Sequence, residues 1–332
     1  MKYYLFPTLP KLGSLNPYIN DFSNALSKKA EVVNKNRRTK SATLDLLLCS
    51  FSADCYIFNW IENTPFKRLG LLQSLVFLTI IFPILKIRRA KIYWIFHNFR
   101  SHQGTNLLSN VICKIMMKHS DAIITHSREA LTYLENHSSG NSKLVFNNHP
   151  IKKRENKIAP PPIKKFDILI WGSIEPYKGI VEFLNYCKEN NKEWSIKIIG
   201  KCKDKDYGEK IKSLISGSMS FENRIVPFDE LQRLIAESRC VLFPYLKDSV
   251  SSSGALIDTI SFYGSAIGPN RGAFADLKNE GVCYTFDSYD DIDKILNDDH
   301  IISRAVIDDF IKNNSWDNFA NKIININNNE KL

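Results

Sequence analysis

The sequence has few of the residue groups that bind metals or cross-link chains. Its seven cysteines form no CxxC pair, and no set of His, Cys, Asp and Glu has metal-ligand spacing. A DxD motif is absent from the predicted strand-end loops, and the acidic run Asp287–Asp293 is typical of a solvated helix start. We therefore expect free, buried thiols in a reducing cytoplasm and no metal site.

Nucleic-acid-binding motifs are also missing. Lys and Arg number 45 against 35 Asp and Glu, a net charge of +10, which suits nucleic acid, an anionic membrane or phosphorylated small molecules. The basic residues are scattered, with clusters only at Lys35–Lys40 and Lys152–Lys165. Without a ribonucleoprotein motif, zinc-finger spacing or a basic helix with a zipper, we expect no nucleic-acid partner.

Long hydrophobic runs are scarce. The N-terminus, MKYYLFPTLP, lacks the charged segment, apolar run and cleavage site of a signal peptide. The 17 residues Leu69–Leu85 carry no charge but include Gly70, Gln73 and Pro83, and they are at the short limit for a membrane span. Because four basic residues follow closely, the stretch predicts a helix that is buried or rests on an anionic membrane.

The composition is that of a folded globular protein with more than one core. Apolar residues make up 44% and charged residues 24%, and 332 residues are many for one domain. We predict a first domain at 1–150, a linker at 151–165 and a second domain at 166–332, whose last helix can cross back to the first. The Pro- and Lys-rich composition of the linker places this boundary.

Apolar strand-like runs alternate with helical segments in both halves. In the first half they are Lys2–Phe6, Cys55–Trp60, Lys91–Asn98, Asp121–His126 and Lys143–Phe146. In the second half they are Phe166–Trp171, Trp194–Ile199, Arg224–Val226, Cys240–Tyr245 and Ser265–Gly268. Continuous apolar strands between helices indicate parallel sheets covered on both faces. The predicted fold is α/β, with two doubly wound Rossmann-like domains that face each other across a cleft.

A loop of small residues joins one of these strands to a helix start. Ser251, Ser252, Ser253 and Gly254 lie where a helix presents unpaired backbone N–H groups and the positive end of its dipole. This arrangement is typical of a phosphate site. The alternative is a serine-rich N-cap without a ligand.

Other segments follow the strands of the second half in order: Gly172–Gly179, Ile198–Lys201, Val226–Phe228 and Phe243–Tyr245. Together with the serine loop, they resemble the nucleotide-sugar domain of GT-B glycosyltransferases, close to glycosyltransferase family 4 and related enzymes of bacterial polysaccharide synthesis. The resemblance covers roughly residues 166 to 290. More weakly, segments around His97 and His126 resemble the acceptor domain of the same group.

The resemblance implies a donor site for a UDP- or GDP-linked sugar, without a further cofactor. Lys178 would contact the pyrophosphate, the serine loop would hold phosphate and sugar, and Phe228 would lie by the base. A cation and oriented N–H donors suit the charge that grows on a departing diphosphate. The implied donor residues are Gly172, Ser173, Lys178, Gly200, Lys201, Phe228, Tyr245, Ser251, Ser252, Ser253, Gly254 and Thr259.

Two departures from the family pattern bear on the stereochemistry. Many retaining members have a pair of glutamates where Ser251 and Thr259 stand, and the usual arginine partner of the lysine is replaced by Ser173. We therefore expect inversion, which needs a base on the acceptor side.

Three residues at predicted strand ends are candidates for that base: His102 first, then His97 and Glu62. The alternatives are a packed or surface histidine and a surface carboxylate. Ser127, after His126, is expected to be a helix N-cap.

The sequence thus predicts a metal-independent glycosyltransferase that uses a nucleoside-diphosphate sugar. The resemblance implies a lipid-linked saccharide acceptor in bacterial surface polysaccharide synthesis, of O-antigen or capsule, and a peripheral position on the cytoplasmic face of the inner membrane. Two alternatives stay open. One is a nucleotide-sugar epimerase of the same architecture, and the other is a non-catalytic partner protein that has lost donor binding.

Overall fold

The computed structural model describes residues 1–10, 17–97, 106–138, 140–155, 161, 163–246, 253–297 and 302–326. The chain divides into two units, Met1–Pro150 with Asn314–Leu332, and Ile151–Asn313. The last helix therefore belongs to the first unit. Ile151, at the start of the segment expected to be a linker, is buried in the core of the second unit.

The first unit contains one parallel sheet. Its strands are β1 (Lys2–Phe6), β2 (Glu31–Val32), β3 (Cys55–Asn59), β4 (Lys91–Phe96), β5 (Ala122–Thr125) and β6 (Lys143–Phe146). They lie in the order β2-β1-β3-β4-β5-β6. Its helices include α1 (Pro17–Ser27), α2 (Ala42–Leu48), α3 (Gly70–Val76), α4 (Phe82–Ile87), α5 (Leu107–His119) and α6 (Arg128–His137). A 3-10 helix, Ile61–Phe66, follows β3, and a π-helical turn, Phe77–Ile81, joins α3 to α4.

The second unit repeats this plan. Its strands are β7 (Phe166–Trp171), β8 (Ile196–Ile199), β9 (Ser220–Glu222), β10 (Ser238–Leu242), β11 (Ala266–Pro269) and β12 (Tyr284–Phe286). They lie in the order β12-β11-β10-β7-β8-β9, all parallel. The helices are α7 (Ile180–Glu189), α8 (Lys205–Leu214), α9 (Phe228–Glu237), α10 (Gly254–Ser261), α11 (Gly272–Asn279), α12 (Asp291–Asn297) and α13 (Arg304–Asn313), and α14 (Trp316–Asn325) returns to the first unit.

Both sheets are buried on both faces. Along β1, Tyr4 packs into one apolar layer and Tyr3 into the other, because successive side chains of a strand point to opposite faces. Helices cover each face, which is why the strands are continuous apolar runs in the sequence. The predicted α/β class with two doubly wound sheets is confirmed.

The strand predicted at Arg224–Val226 is wrong. The edge strand β9 lies earlier, and Ser220 pairs with Lys197 of β8. Arg224 instead follows the strand and forms ion pairs with Glu222 and Glu230. The short elements α2, β2 and β12 were not predicted either.

The chain reverses direction across each sheet at one switch point. In the second unit it lies between β7 and β10, because β8 and β9 extend to one side and β11 and β12 to the other. In the first unit it lies between β1 and β3. Ligands of open α/β sheets bind beyond the carboxyl ends of the strands at such points, so the residues that follow these strands are the first to consider.

The helical run Gly70–Ile87 is apolar and long enough to cross a membrane, by length and composition alone. A third of it, 33%, is buried against the rest of the protein. Phe77, Ile81 and Leu85 are fully buried in one layer of the first unit. One face of this run is therefore part of the domain core.

Candidate functional site

Two glycines bring the carboxyl ends of β7 and β8 close together, next to the switch point between β7 and β10. Gly172 follows β7 with a φ of +109°, a region that favours glycine. Gly200 follows β8, and a Cβ added to it would lie 1.7 Å from the carbonyl oxygen of Gly172. Only glycine permits this approach, which leaves the backbone at the sheet edge open to a ligand.

Lys178 is a buried cation at this edge. Its side chain belongs to the short 3-10 turn after β7, and the residue is 6% exposed. Within the described residues, Nζ makes no hydrogen bond or salt bridge, and it lies 5.4 Å from the centroid of the Tyr245 ring. Burial lowers the pKa of Lys178, and nearby Tyr177 and Glu175 partly oppose this shift. A buried ammonium without a counter-ion is costly, and a bound anion would remove that cost.

The start of α10 lies beside the ammonium. A Cβ added to Gly172 would lie 3.4 Å from Lys178 Nζ and 3.6 Å from the Cβ of Ala255. Ser253 caps the helix, because its Oγ accepts a hydrogen bond from the amide of Leu256 at 3.3 Å. The amides of the first helical residues have no carbonyl partner within the helix. Together with Lys178, they can bind an anion such as a phosphate group.

Tyr245, which follows β10, forms a hydrogen bond with the residue that caps this helix. Its hydroxyl lies 3.1 Å from Ser253 Oγ, and burial raises the pKa of Tyr245 to about 12. The tyrosine therefore remains a neutral hydrogen-bonding group that holds the cap in place.

Other predicted donor residues have different surroundings. The hydroxyl of Thr259 accepts a hydrogen bond from Trp171 Nε1 at 2.9 Å and donates one to the carbonyl of Ala255 at 2.9 Å, so it is satisfied inside the domain. Ser173 and Lys201 are exposed after β7 and β8. Ser251 and Ser252 lie outside the described residues.

Phe228 begins α9 and is 43% exposed. The guanidinium of Arg154 lies 3.9 Å from the centroid of its ring, and Arg154 Nη2 donates a hydrogen bond to Asp258 Oδ1 at 2.6 Å. One face of the Phe228 ring is therefore covered by Arg154.

At the first sheet, His97 follows β4 and is held in one tautomer. Asn59 Nδ2 donates to the carbonyl of Phe6 at 2.9 Å, so its Oδ1 faces His97 Nε2 at 3.1 Å and accepts a hydrogen bond. Nε2 therefore carries the proton and Nδ1 the lone pair. The ring stacks on Trp60 with centroids 4.3 Å apart. Burial holds the pKa of His97 well below its usual value, so the imidazole is neutral and chemically a base.

His126, after β5, uses both ring nitrogens. Nδ1 donates to the carbonyl of Asn147 at 2.8 Å, and Nε2 therefore accepts from the hydroxyl of Tyr18 at 2.8 Å. Burial lowers the pKa of His126 to about 3. Ser127 is the N-cap of α6, since its Oγ accepts from the amide of Ala130 at 3.1 Å; this prediction is confirmed.

His149, after β6, was missed in the sequence. Its ring lies 5.3 Å from that of His126 and 5.2 Å from that of Tyr18. Nδ1 donates to the carbonyl of Pro150 at 2.8 Å, which leaves Nε2 as the acceptor of the neutral ring. Burial lowers the pKa of His149 to about 4. The signal was the polar run Asn147–His149 directly after a strand.

Glu62 lies in the 3-10 helix after β3 and is 4% exposed. Trp94 Nε1 donates to its Oε2 at 3.4 Å. Burial raises the pKa of Glu62 to about 7, although Lys67 partly opposes this. Trp94 packs in one apolar layer, whereas His97 contacts Tyr18, which packs in the other. Glu62 and His97 thus lie beside different apolar layers of the first sheet. His102, the first candidate for the base, lies outside the described residues.

Comparison with known proteins gives a likeness of structure. No protein-family model matches the sequence, and no curated protein does. HepE from Anabaena, solved with UDP and glucose, superposes with a TM-score of 0.65 at 10% identity over 99% of both chains. Sucrose-phosphate synthase from Thermosynechococcus elongatus gives a TM-score of 0.69 at 10% identity over 98% of both chains. The chain has the GT-B fold.

A third GT-B protein is longer than this chain. TarM from S. aureus, solved as a mutant with UDP, has a TM-score of 0.61 and 12% identity. The match covers 89% of this chain, which spans 60% of the length of TarM. These identities establish a shared fold.

The histidines of the first GT-B domain predict acid sensitivity. A histidine whose folded pKa lies below its unfolded value near 6.5 stabilises the folded state above that value, and the stability is lost as the pH falls. For His126, with a folded pKa of about 3, unfolding free energy should drop by about 2 kcal/mol between pH ~7 and pH ~5.

Urea unfolding of the wild type and of His126→Gln at the two pH values measures this loss. We expect a smaller pH dependence in His126→Gln, whereas His137→Gln, at an exposed position on α6, should behave as the wild type. An equal pH dependence in all three proteins would contradict the burial argument.

Proposed function

We propose that this protein is a glycosyltransferase that moves a sugar from a nucleoside-diphosphate sugar to a saccharide acceptor. One observation carries the proposal: the buried ammonium of Lys178 makes no salt bridge or hydrogen bond within the described residues and lies beside the start of α10 at the sheet switch point. A pyrophosphate has the charge and the acceptor oxygens that such a site requires. The HepE and TarM structures, which share the fold, were solved with UDP.

In this proposal the second domain performs the donor half of the reaction. Lys178 and the first amides of α10 offset the negative charge that grows on the leaving diphosphate as the glycosidic bond breaks. Gly172 and Gly200 give the diphosphate access to the sheet edge. The lysine supplies the positive charge, and we propose that neither a metal nor a further cofactor takes part.

The acceptor is proposed to be a lipid-linked saccharide of bacterial surface polysaccharide synthesis, O-antigen or capsule. The protein would then act as a peripheral protein on the cytoplasmic face of the inner membrane. Apolar side chains exposed on the first domain support a membrane contact. We further propose inversion, because Ser251 and Thr259 are not acids and neutral histidines follow strands β4 and β6 in the first domain.

Thermal unfolding with a panel of UDP, GDP and their sugar conjugates tests the donor class. A ligand that binds only the folded state, at about 100 times its Kd, adds about 2.7 kcal/mol to the unfolding free energy. We expect one nucleotide series to raise the midpoint, with and without a metal chelator. If no member of the panel raises it, the non-catalytic partner protein becomes the better explanation, and a shift abolished by the chelator would contradict the metal-independent mechanism.

A further inference from the structure

Exposed apolar side chains are concentrated on one part of the first domain. Of the sixteen large apolar side chains exposed among the described residues, nine lie between positions 44 and 87. They occur on α2 and the turn after it, and on the helical run from α3 to α4. The nine are Leu44, Leu48, Phe51, Leu69, Leu71, Leu72, Leu75, Ile80 and Ile87.

The two helical segments are joined to each other. Thr43 at the start of α2 donates a hydrogen bond to Gln73 Oε1 of α3 at 2.9 Å. At the other end, Arg88 after α4 donates to the carbonyl of Ser50 after α2, and its guanidinium lies 5.1 Å from the centroid of the Phe51 ring. The segments therefore form one unit, which we call the two-helix surface.

The inner side of the two-helix surface is part of the core of the first domain. Leu46 of α2, Phe77 of the π-helical turn and Leu85 of α4 are all fully buried in the same core layer. A transmembrane arrangement would have to extract these residues from the core. The outer leucines are thus exposed to solvent in the folded domain, and contact with a partner requires no unfolding.

Most of the exposed charged residues around the surface are basic. Exposed basic residues precede α2, precede α3, and lie in the last turn of α4 and after it: Arg38, Lys40, Lys67, Arg68, Lys86 and Arg89. Of the acidic residues between positions 37 and 90, Asp45 and Glu62 are buried, and Asp54 is exposed. An apolar centre with a basic margin is complementary to an anionic lipid headgroup layer over acyl chains.

We propose that the two-helix surface lies on an anionic bilayer, with the leucines of α2 and α3 and Phe51 at the boundary between headgroups and acyl chains. This inference deepens the proposed function, because it supplies the membrane contact that a lipid-linked acceptor requires. It also assigns α2 and Phe51, and not the apolar run alone, to the contact.

Sedimentation with vesicles tests the inference on the intact protein. We expect binding to phosphatidylglycerol–phosphatidylcholine vesicles, weak binding to phosphatidylcholine alone, and loss of most binding between about 0.1 M and about 1 M salt. Two double variants should each lower the partition coefficient at least about tenfold, since each removes apolar area from the contact. They are Leu48→Ser/Phe51→Ser on the α2 side and Leu71→Ser/Leu75→Ser on α3. Ile163→Ser/Ile225→Ser, which changes two exposed apolar residues of the second domain, should bind as the wild type.

Three results would overturn the inference. Wild-type binding by Leu48→Ser/Phe51→Ser would remove α2 from the surface. Equal loss in the second-domain control would show unspecific adsorption. A dimer in sedimentation velocity that the α2 variant converts to a monomer would make the surface a contact between copies of this chain. Nucleotide protection against thermal unfolding, measured on the same variants, should be unchanged, so a failure of membrane binding is distinguishable from a failure of the donor site.

Discussion

Removal of the acceptor-side base is expected to lower kcat by about 10²–10⁴-fold, with little change in nucleoside-diphosphate affinity. An inverting transfer needs a group that takes the proton of the attacking hydroxyl, and that group acts on the acceptor and not on the donor. The variants are His102→Ala, His97→Ala and Glu62→Gln, joined by His149→Gln because the neutral ring of His149 keeps an acceptor nitrogen. Initial rates and donor affinity are measured for each.

The pH dependence of kcat distinguishes these bases. A general base must be deprotonated, so it loses activity as the pH falls below its pKa. Burial raises the pKa of Glu62 to about 7. If Glu62 is the base, the rate should therefore fall about tenfold for each pH unit below about pH 7. His97 has its pKa held well below the usual value and His149 has one of about 4. Either histidine therefore predicts a rate that stays level down to about pH 5.

Two controls accompany the base variants. His137→Ala removes an exposed histidine of α6 and should leave the rate unchanged. Thermal unfolding of each variant separates a loss of chemistry from a loss of folding. Turnover near that of the wild type in all four base variants would exclude every residue named here, and a product with retained anomeric configuration by NMR would contradict inversion.

The sequence was most informative where burial was nearly complete. The strand Lys2–Phe6, buried from Tyr3 to Phe6, was predicted with the bounds that the structure shows, because parallel strands covered on both faces are uninterrupted apolar runs. The edge strand β9 gave no such run: Ser220–Glu222 is only partly buried. The apolar pair Ile225 and Val226 nearby misplaced the prediction, and Ile225 is exposed.

Helix α2 shows a related difficulty. Its outer residues Leu44 and Leu48 are exposed and its Asp45 is buried, which reverses the usual amphipathic pattern. Asp45 accepts hydrogen bonds from Tyr4 and Thr8 and pairs with Arg37. A sequence pattern does not reveal these partners, since they come from other parts of the chain.

The sequence could predict which residues lie together at the candidate site, but not how deeply side chains are buried. Gly172, Lys178 and the start of α10 were singled out by position after strands, and the structure brings them together. Carboxylates are usually exposed, so the burial of Glu62 beneath Trp94 depends on tertiary packing. The environment that shifts its pKa is created by residues distant in sequence.

Replacement of Lys178 by methionine is expected to weaken nucleoside-diphosphate binding by about 1.5–3 kcal/mol, the range for a charge-assisted hydrogen bond. This corresponds to roughly a 10- to 150-fold rise in Kd. The same change should raise the midpoint of thermal unfolding without ligand, because it removes a buried charge that makes no salt bridge or hydrogen bond in the described part of the chain. A structural lysine would behave in the opposite way, with a lower midpoint.

Titration calorimetry and thermal unfolding of Lys178→Met measure the two effects. Lys210→Met, at an exposed position on α8, is the matched control that should change neither. Unchanged affinity in Lys178→Met would remove this lysine from the donor site, and with it the observation on which the proposed function rests.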